Sequence, residues 1–277
     1  MKRLLLTLSA AILAICSANA GTVTRKFGDL KKFSGIQICN AFEATLMQGD
    51  DYSADVTIDT DLEEYLDVSV VGNMLYVRLK DAPLKLKKLD RKSMMVTITV
   101  PALSQISLTG ASKLTSDDIW TSPMGKFTLE MSGASKAENL KIEGSELDAN
   151  ISGASSGTVT GDFAEIDAEI SGASALFLVG SYDSVEAECS GASKISFIGS
   201  ADSIHSECSG TSLLDAMQLK VKRAEIECSG ASKATIDVEK RLEVELTGAS
   251  NCQYRSENES LTVVPDISRA SSLKKVN

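Results

Sequence analysis

Along the last two-thirds of the chain, apolar and polar residues alternate in short bursts, and each burst ends on the same tripeptide. Gly-Ala-Ser begins at Gly110, Gly133, Gly153, Gly172, Gly191, Gly230 and Gly248, and Gly210 starts the variant Gly-Thr-Ser. From one of these glycines to the next the numbering advances by 23, 20, 19, 19, 19, 20 and 18. Arg269-Ala270-Ser271, about one period beyond Gly248, is a worn further copy. A near-constant period in this range is the signature of a solenoid.

Aligned on the glycine, the copies share one pattern. Two residues before it stand Leu108, Met131, Ile151, Ile170, Cys189, Cys208, Cys228 and Leu246. Four before stand Ile106, Leu129, Ala149, Ala168, Ala187, Ser206, Ile226 and Val244, and Phe127, Leu147, Ile166, Val185, Ile204 and Leu242 stand six before. The residues between them are polar. This is period two, a strand with one buried face, and none of the apolar sets recurs at the 3.6 residues of a helix. A second short strand follows each glycine, with Leu114, Leu176, Ile195 and Leu214 four positions on, and Val159, Leu178, Phe197, Ile236 and Tyr254 six positions on.

The expected fold is therefore all-β: a parallel β-solenoid (β-helix), taken as right-handed, of 18–23-residue coils spanning residues 101–277. Nine coils at about 4.8 Å per rung give a rod roughly 40 Å long. Glycine at the corner suits a bend that needs permissive dihedrals or leaves no room for a side chain. Ser112, Ser135, Ser155, Ser174, Ser193, Ser212, Ser232 and Ser250 share the inward parity. They should stack as a hydroxyl ladder that satisfies backbone groups at the bend. One coil alone cannot offset its ordering entropy, so the coils must come in series.

Residues 21–100 alternate as well, in Ile36–Ile38, Ala54–Ile58, Val68–Val70, Leu75–Leu79 and Met95–Val100, but lack the tripeptide. Gln48-Gly49-Asp50-Asp51 and Val71-Gly72-Asn73 are turn signals, Asp61–Leu66 suits a short helical turn, and the lysine-rich 81–92 reads as an exposed loop. The expected role of this region is a β-rich cap, since an open solenoid end presents unpaired strand edges.

At the N-terminus, Lys2 and Arg3, an apolar run from Leu4 to Ile15 and the ending Ser17-Ala18-Asn19-Ala20 form a secretory signal peptide over residues 1–20. A competing reading makes Cys16 a lipidated first residue, but bulky Ile15 beside it argues against that. The expected location is exported, in the periplasm or at the cell surface, with no transmembrane span.

The chain has 28 lysines and arginines against 38 aspartates and glutamates, a net charge of −10. The segment 1–20 holds Lys2 and Arg3 and no acid, so without it 26 bases face 38 acids, or −12. That balance excludes a nucleic-acid binder and disfavours an anionic membrane surface. The single histidine, His205, removes most triad and zinc-enzyme chemistry.

Phe33-Ser34-Gly35-Ile36, then Ala44-Thr45-Leu46-Met47-Gln48-Gly49-Asp50, then the repeated Ser-Gly-Ala-Ser resemble the auto-transporter adhesin head domain (GIN-domain) family of exported Bacteroides-type proteins. The resemblance covers roughly residues 30–260. It implies a β-helical fold and an exported location, and it brings no catalytic or ligand residues.

Candidate chemistry is sparse. Gly153-Ala154-Ser155-Ser156-Gly157 matches the nucleophile-elbow pattern, yet it is one repeat among many and lacks the strand–turn–helix setting. Cys189, Cys208 and Cys228 share an apolar column and read as buried small hydrophobes rather than a disulfide or metal site. With Cys39 and Cys252 they leave an odd count beyond the signal peptide. Glu169, Glu188, Glu207, Glu227 and Glu245 form an outward ladder, a candidate divalent-cation surface set against the plainer reading of a solvated face. Asp148, Asp167, Glu186, Glu225 and Glu243 form a second column, with His205 in line. The calcium-binding nonapeptide pattern is absent. Lys113, Lys136, Lys194 and Lys233 recur three after the glycine as surface charges, and Trp120 is placed at the junction of cap and solenoid, with a sugar-stacking surface as the alternative.

The expected function is a non-enzymatic, exported, adhesin-like surface or envelope protein, without catalytic residues or cofactor, binding an extracellular polysaccharide or protein through many weak contacts. The alternatives are a polysaccharide-lyase-like β-helix enzyme and a self-assembling periplasmic rod.

Overall fold

The computed structural model describes residues 21–83 and 93–276. The signal-peptide segment 1–20 with Cys16, and 84–92 of the lysine-rich stretch, lie outside the described residues. The chain forms a parallel β-solenoid of about nine turns. Each coil has two sides. On the side leading into the glycine corner, Gln105–Leu108, Lys126–Met131, Glu146–Ile151 and Phe163–Ile170 stack in parallel, followed by the later halves of Ala175–Cys189, Lys194–Cys208, Leu213–Cys228 and Lys233–Leu246, then Thr262–Ile267. The side leaving the corner stacks Lys113–Ser116, Lys136–Glu143, Ser156–Thr160, the early halves of the same long strands, Asn251–Arg255 and Ser272–Lys275.

The register follows the repeat. Leu147, Ile166, Val185, Ile204, Ala224 and Leu242 pair in succession, and so do Ile151, Ile170, Cys189, Cys208, Cys228 and Leu246. All are buried, so one continuous apolar core runs along the axis. Like thus stacks on like, and inserting a single residue would turn a whole rung inside out.

The corner explains the tripeptide. Each Gly-Ala-Ser or Gly-Thr-Ser glycine has φ between +72° and +84°, the left-handed region that L side chains avoid. The following residue donates its N–H to the glycine carbonyl one coil below, as Ala192 does to Gly172 at 2.7 Å. The serine hydroxyls form the expected ladder and are wholly buried. Ser193, Ser212, Ser232 and Ser250 donate to the carbonyls of Ile170, Cys189, Cys208 and Cys228 at 3.1–3.2 Å.

A second bend stacks Gly161, in the short connection after Ser156–Thr160, beneath Gly180 and Gly199, which lie inside the long strands. A Cβ on Gly180 would lie 1.9 Å from the Gly161 carbonyl oxygen, and one on Gly199, at φ +130°, 1.8 Å from that of Gly180. Beside it the core is filled by rings: Tyr182 stacks on Phe163 at 6.5 Å between centroids and meets Phe197 edge-on at 6.1 Å.

The N-terminal region departs from chain order. Gly35–Ile38 and Glu43–Gln48 build a coil of solenoid geometry, paired in parallel to Gln105–Leu108 and Lys113–Ser116 on one side and to Met74–Leu79 and Met94–Val100 on the other. A coil from early sequence is therefore wedged between two later ones. Its corner is Asn40-Ala41, at φ +64° and +65°, directly beneath Gly110. Asparagine tolerates this region better than other side chains, and Asn40 Oδ1 also accepts the Leu79 N–H at 2.9 Å. Beyond this coil the pairing turns antiparallel, with Thr22–Phe27 on Ser53–Asp59 on Met94–Val100, and Leu66–Val71 on Met74–Leu79. The short helical turn falls at Thr60–Tyr65.

Candidate functional site

The outward faces of the pre-corner strands form a regular array. Register places Asn150, Glu169, Glu188, Glu207, Glu227 and Glu245 in one column, and Asp148, Asp167, Glu186, His205, Glu225 and Glu243 in the next. Serine or threonine flanks them on the corner side, as Ser152, Ser171, Ser190, Ser209, Ser229 and Thr247. The glutamate column and this hydroxyl column line a shallow groove of about 300 Å³ that runs across the coils. The predicted ladder of Glu169, Glu188, Glu207, Glu227 and Glu245 is therefore brought together along one wall.

Its electrostatics are those of crowded like charges. Partial burial, then the carboxylates of Glu207, Glu169 and Glu186, push Glu188 above the ordinary carboxylate value. Burial, then Asp148 and Glu186, do the same to Asp167. Cations pair with the array at its ends. Lys126 pairs with Glu146 at 2.5 Å and Asp148 at 3.4 Å, and Arg241 pairs with Glu243 at 2.5 Å. Among the described residues, no lysine or arginine forms an ion pair with any of the five ladder glutamates. Near the middle, His205 stands 3.5 Å from both Glu207 and Glu225.

The other singled-out residues have structural roles. Cys189, Cys208, Cys228 and Cys252 are buried and unpaired, and Cys39 is half-buried. Contact with Cys208, then burial, pushes the Cys189 and Cys228 thiols up. Ser155 of the nucleophile-like pentapeptide is buried in the serine ladder and accepts the Ser135 N–H at 3.3 Å. Trp120 is fully buried and donates to Ser116 Oγ at 2.9 Å, which excludes a sugar-stacking surface there. Lys113 and Lys136 share Glu138, at 3.2 and 2.5 Å, and Lys194 pairs with Asp215 at 3.3 Å.

Fold and face together define a class: a parallel β-solenoid with an acidic, laddered side. The family model described as "Putative auto-transporter adhesin, head GIN domain" matches residues 32–178 and 165–257, and the chain belongs to that family. Solved structures share the fold. A "putative adhesin" from Parabacteroides merdae is 16% identical with a TM-score of 0.65, covering 94% of this chain and 98% of its own. A "putative adhesin" from Parabacteroides distasonis is 17% identical with a TM-score of 0.66, covering 92% and 97%. A "putative lipid binding protein" from the same species is 18% identical with a TM-score of 0.64, covering 94% and 98%. A search of the curated proteins found no match. Among the described residues, no helix is long and apolar enough to cross a membrane.

Proposed function

We propose that the chain is a non-enzymatic, exported binding module of the adhesin type, working at the cell surface or within the envelope, and that its acidic face meets the ligand. The observation that carries this reading is the in-register glutamate ladder along the groove, whose members lack a lysine or arginine partner among the described residues. Unpaired like charges at rung spacing are destabilising, so neutralisation by a ligand is favourable. An extracellular polysaccharide or protein with spaced cationic groups, or one held through bridging divalent cations, would gain from many weak contacts at high effective concentration. The family membership supports the adhesin-type role.

A lyase-like activity has less to stand on. From Lys126 to Arg255 the strands are joined by connections of two to four residues, which leaves no long loops there to shape a catalytic cleft.

The test is retention of the full chain on arrays of polysaccharides and extracellular-matrix proteins, beside a variant with Glu169, Glu188, Glu207, Glu227 and Glu245 all changed to Gln. Retention that depends on the ladder, with no cleavage of the retained polymer, is the expected result. Equal retention by the variant, or release of shortened polymer, overturns the proposal.

A further inference from the structure

One position breaks the acid pattern. The column of Asp148, Asp167, Glu186, Glu225 and Glu243 holds His205 where register calls for another acid, and it is the only histidine in the chain. In-register pairing sets Glu186 on one side of it and Glu225 on the other, with Glu207 two positions along its own strand. Nδ1 lies 3.5 Å from a Glu225 oxygen and Nε2 3.5 Å from a Glu207 oxygen. Both distances exceed a normal hydrogen bond, so the ring is flanked by carboxylates without being tied to one. A ring nitrogen of His205 and one oxygen each from Glu225 and Glu227 all lie within 4.8 Å of one another. Glu207 and Glu227 also line the groove, so the cluster opens onto it.

We propose that His205, Glu225 and Glu227 form a binding site for a divalent transition-metal ion of the zinc class. The imidazole decides the class. Calcium and magnesium take oxygen ligands, whereas imidazole with carboxylates suits zinc, copper or nickel. Donors around a tetrahedral zinc stand about 3.4 Å apart when each bond is about 2.0–2.2 Å. Small side-chain rotations bring these three atoms to that spacing, because His205 and Glu227 are half-buried and Glu225 is exposed. Adjacent coils supply the donors, so the ion would clasp two rungs together. Three protein donors leave a position open for water or for a donor group on a partner. The site does not depend on what the rest of the face binds.

The test uses the full chain without a histidine tag, titrated with Zn²⁺ at neutral pH and followed by calorimetry and by NMR of the one imidazole. The expected result is one equivalent bound, imidazole signals that shift with Zn²⁺ and stay with Ca²⁺, and affinity about tenfold or more weaker in His205→Ala and in Glu225→Gln/Glu227→Gln. The metal-free melting temperature of His205→Ala should match the parent. An unmoved imidazole, equal affinity in His205→Ala, or thiolate-to-metal absorption when Co²⁺ replaces Zn²⁺ would each overturn the site; the last would place the ion on the cysteines. Glu227 belongs to both the ladder and the site, but the Zn²⁺ titration of the parent chain needs no polymer and His205 is outside the ladder, so the two proposals fail separately.

Discussion

The stacked corner can be tested with three glycines that differ in one respect at a time. Gly191 has φ +75°, and a Cβ there would sit 2.7 Å from the Gly172 carbonyl oxygen and 3.2 Å from the Gly172 nitrogen. Both atoms are backbone, so no side chain can swing away. Gly72 has φ +61° but open space around a Cβ, and Gly28 has neither constraint. Gly28→Ala should therefore change stability by less than about 0.5 kcal/mol. Gly72→Ala should cost the left-handed penalty alone, roughly 1–2 kcal/mol. Gly191→Ala adds strain on the 2.7 Å Ala192–Gly172 hydrogen bond, whose loss is about 0.5–1.5 kcal/mol, for a total of about 1.5–3.5 kcal/mol. Urea unfolding followed by circular dichroism gives the ranking. If Gly191→Ala costs no more than Gly72→Ala, contact between successive corners does not hold the coils. If all three match, the left-handed reading of the corner fails with it.

Four more outcomes follow from named contacts. Ser212→Ala removes a buried hydroxyl that donates to the Cys189 carbonyl, and should lower stability by about 1 kcal/mol in the same unfolding assay. The buried Tyr182 hydroxyl has no hydrogen-bond partner among the described residues, so Tyr182→Phe should raise the melting temperature; a drop would show that the hydroxyl is satisfied. Of the five described cysteines, only half-buried Cys39 should react quickly with a maleimide, while burial, which pushes Cys252 up to about 12, slows the others; mass spectrometry of the labelled peptides reads this. Glu188 and Asp167 have raised values, so the folded state takes up protons before the unfolded one, and stability should rise as pH falls from neutral into the carboxylate range. Below it the trend should reverse, because Glu138, Asp202 and Glu243, held low by Lys136, Lys222 and Arg241, lose their pairs as they protonate; melting curves across pH that fall throughout would contradict the ladder electrostatics.

Much of the solenoid was legible because it is written one coil at a time. The residues two, four and six before each glycine, the glycine bend and the serine ladder are local signals repeated at near-constant spacing, and the structure buries or bends them as read. The coil at 35–48 was not legible in that way. Its alternation is present in Ile36, Ile38, Ala44 and Leu46, but Asn40-Ala41-Phe42 stands where Gly-Ala-Ser would. Its place between later coils depends on pairing with Gln105–Leu108 and Lys113–Ser116, far along the chain. The second bend was missed for a different reason. Gly161, Gly180 and Gly199 recur at the coil period, but the column ends when Leu219 comes into register with Gly199. In the candidate site, the columns of acids were readable from parity. The convergence of His205 with Glu225 and Glu227 required the register between neighbouring coils, together with side-chain directions that no spacing rule supplies.

The central proposal, an exported binding module of the adhesin type, is tested in its surface-display form most directly by labelling intact producing cells with a membrane-impermeant amine reagent. The exposed Lys136 and Lys233 should carry the label while a periplasmic control protein stays unmodified. A chain that remains unlabelled until the outer membrane is opened would contradict surface display and direct the search to partners inside the envelope.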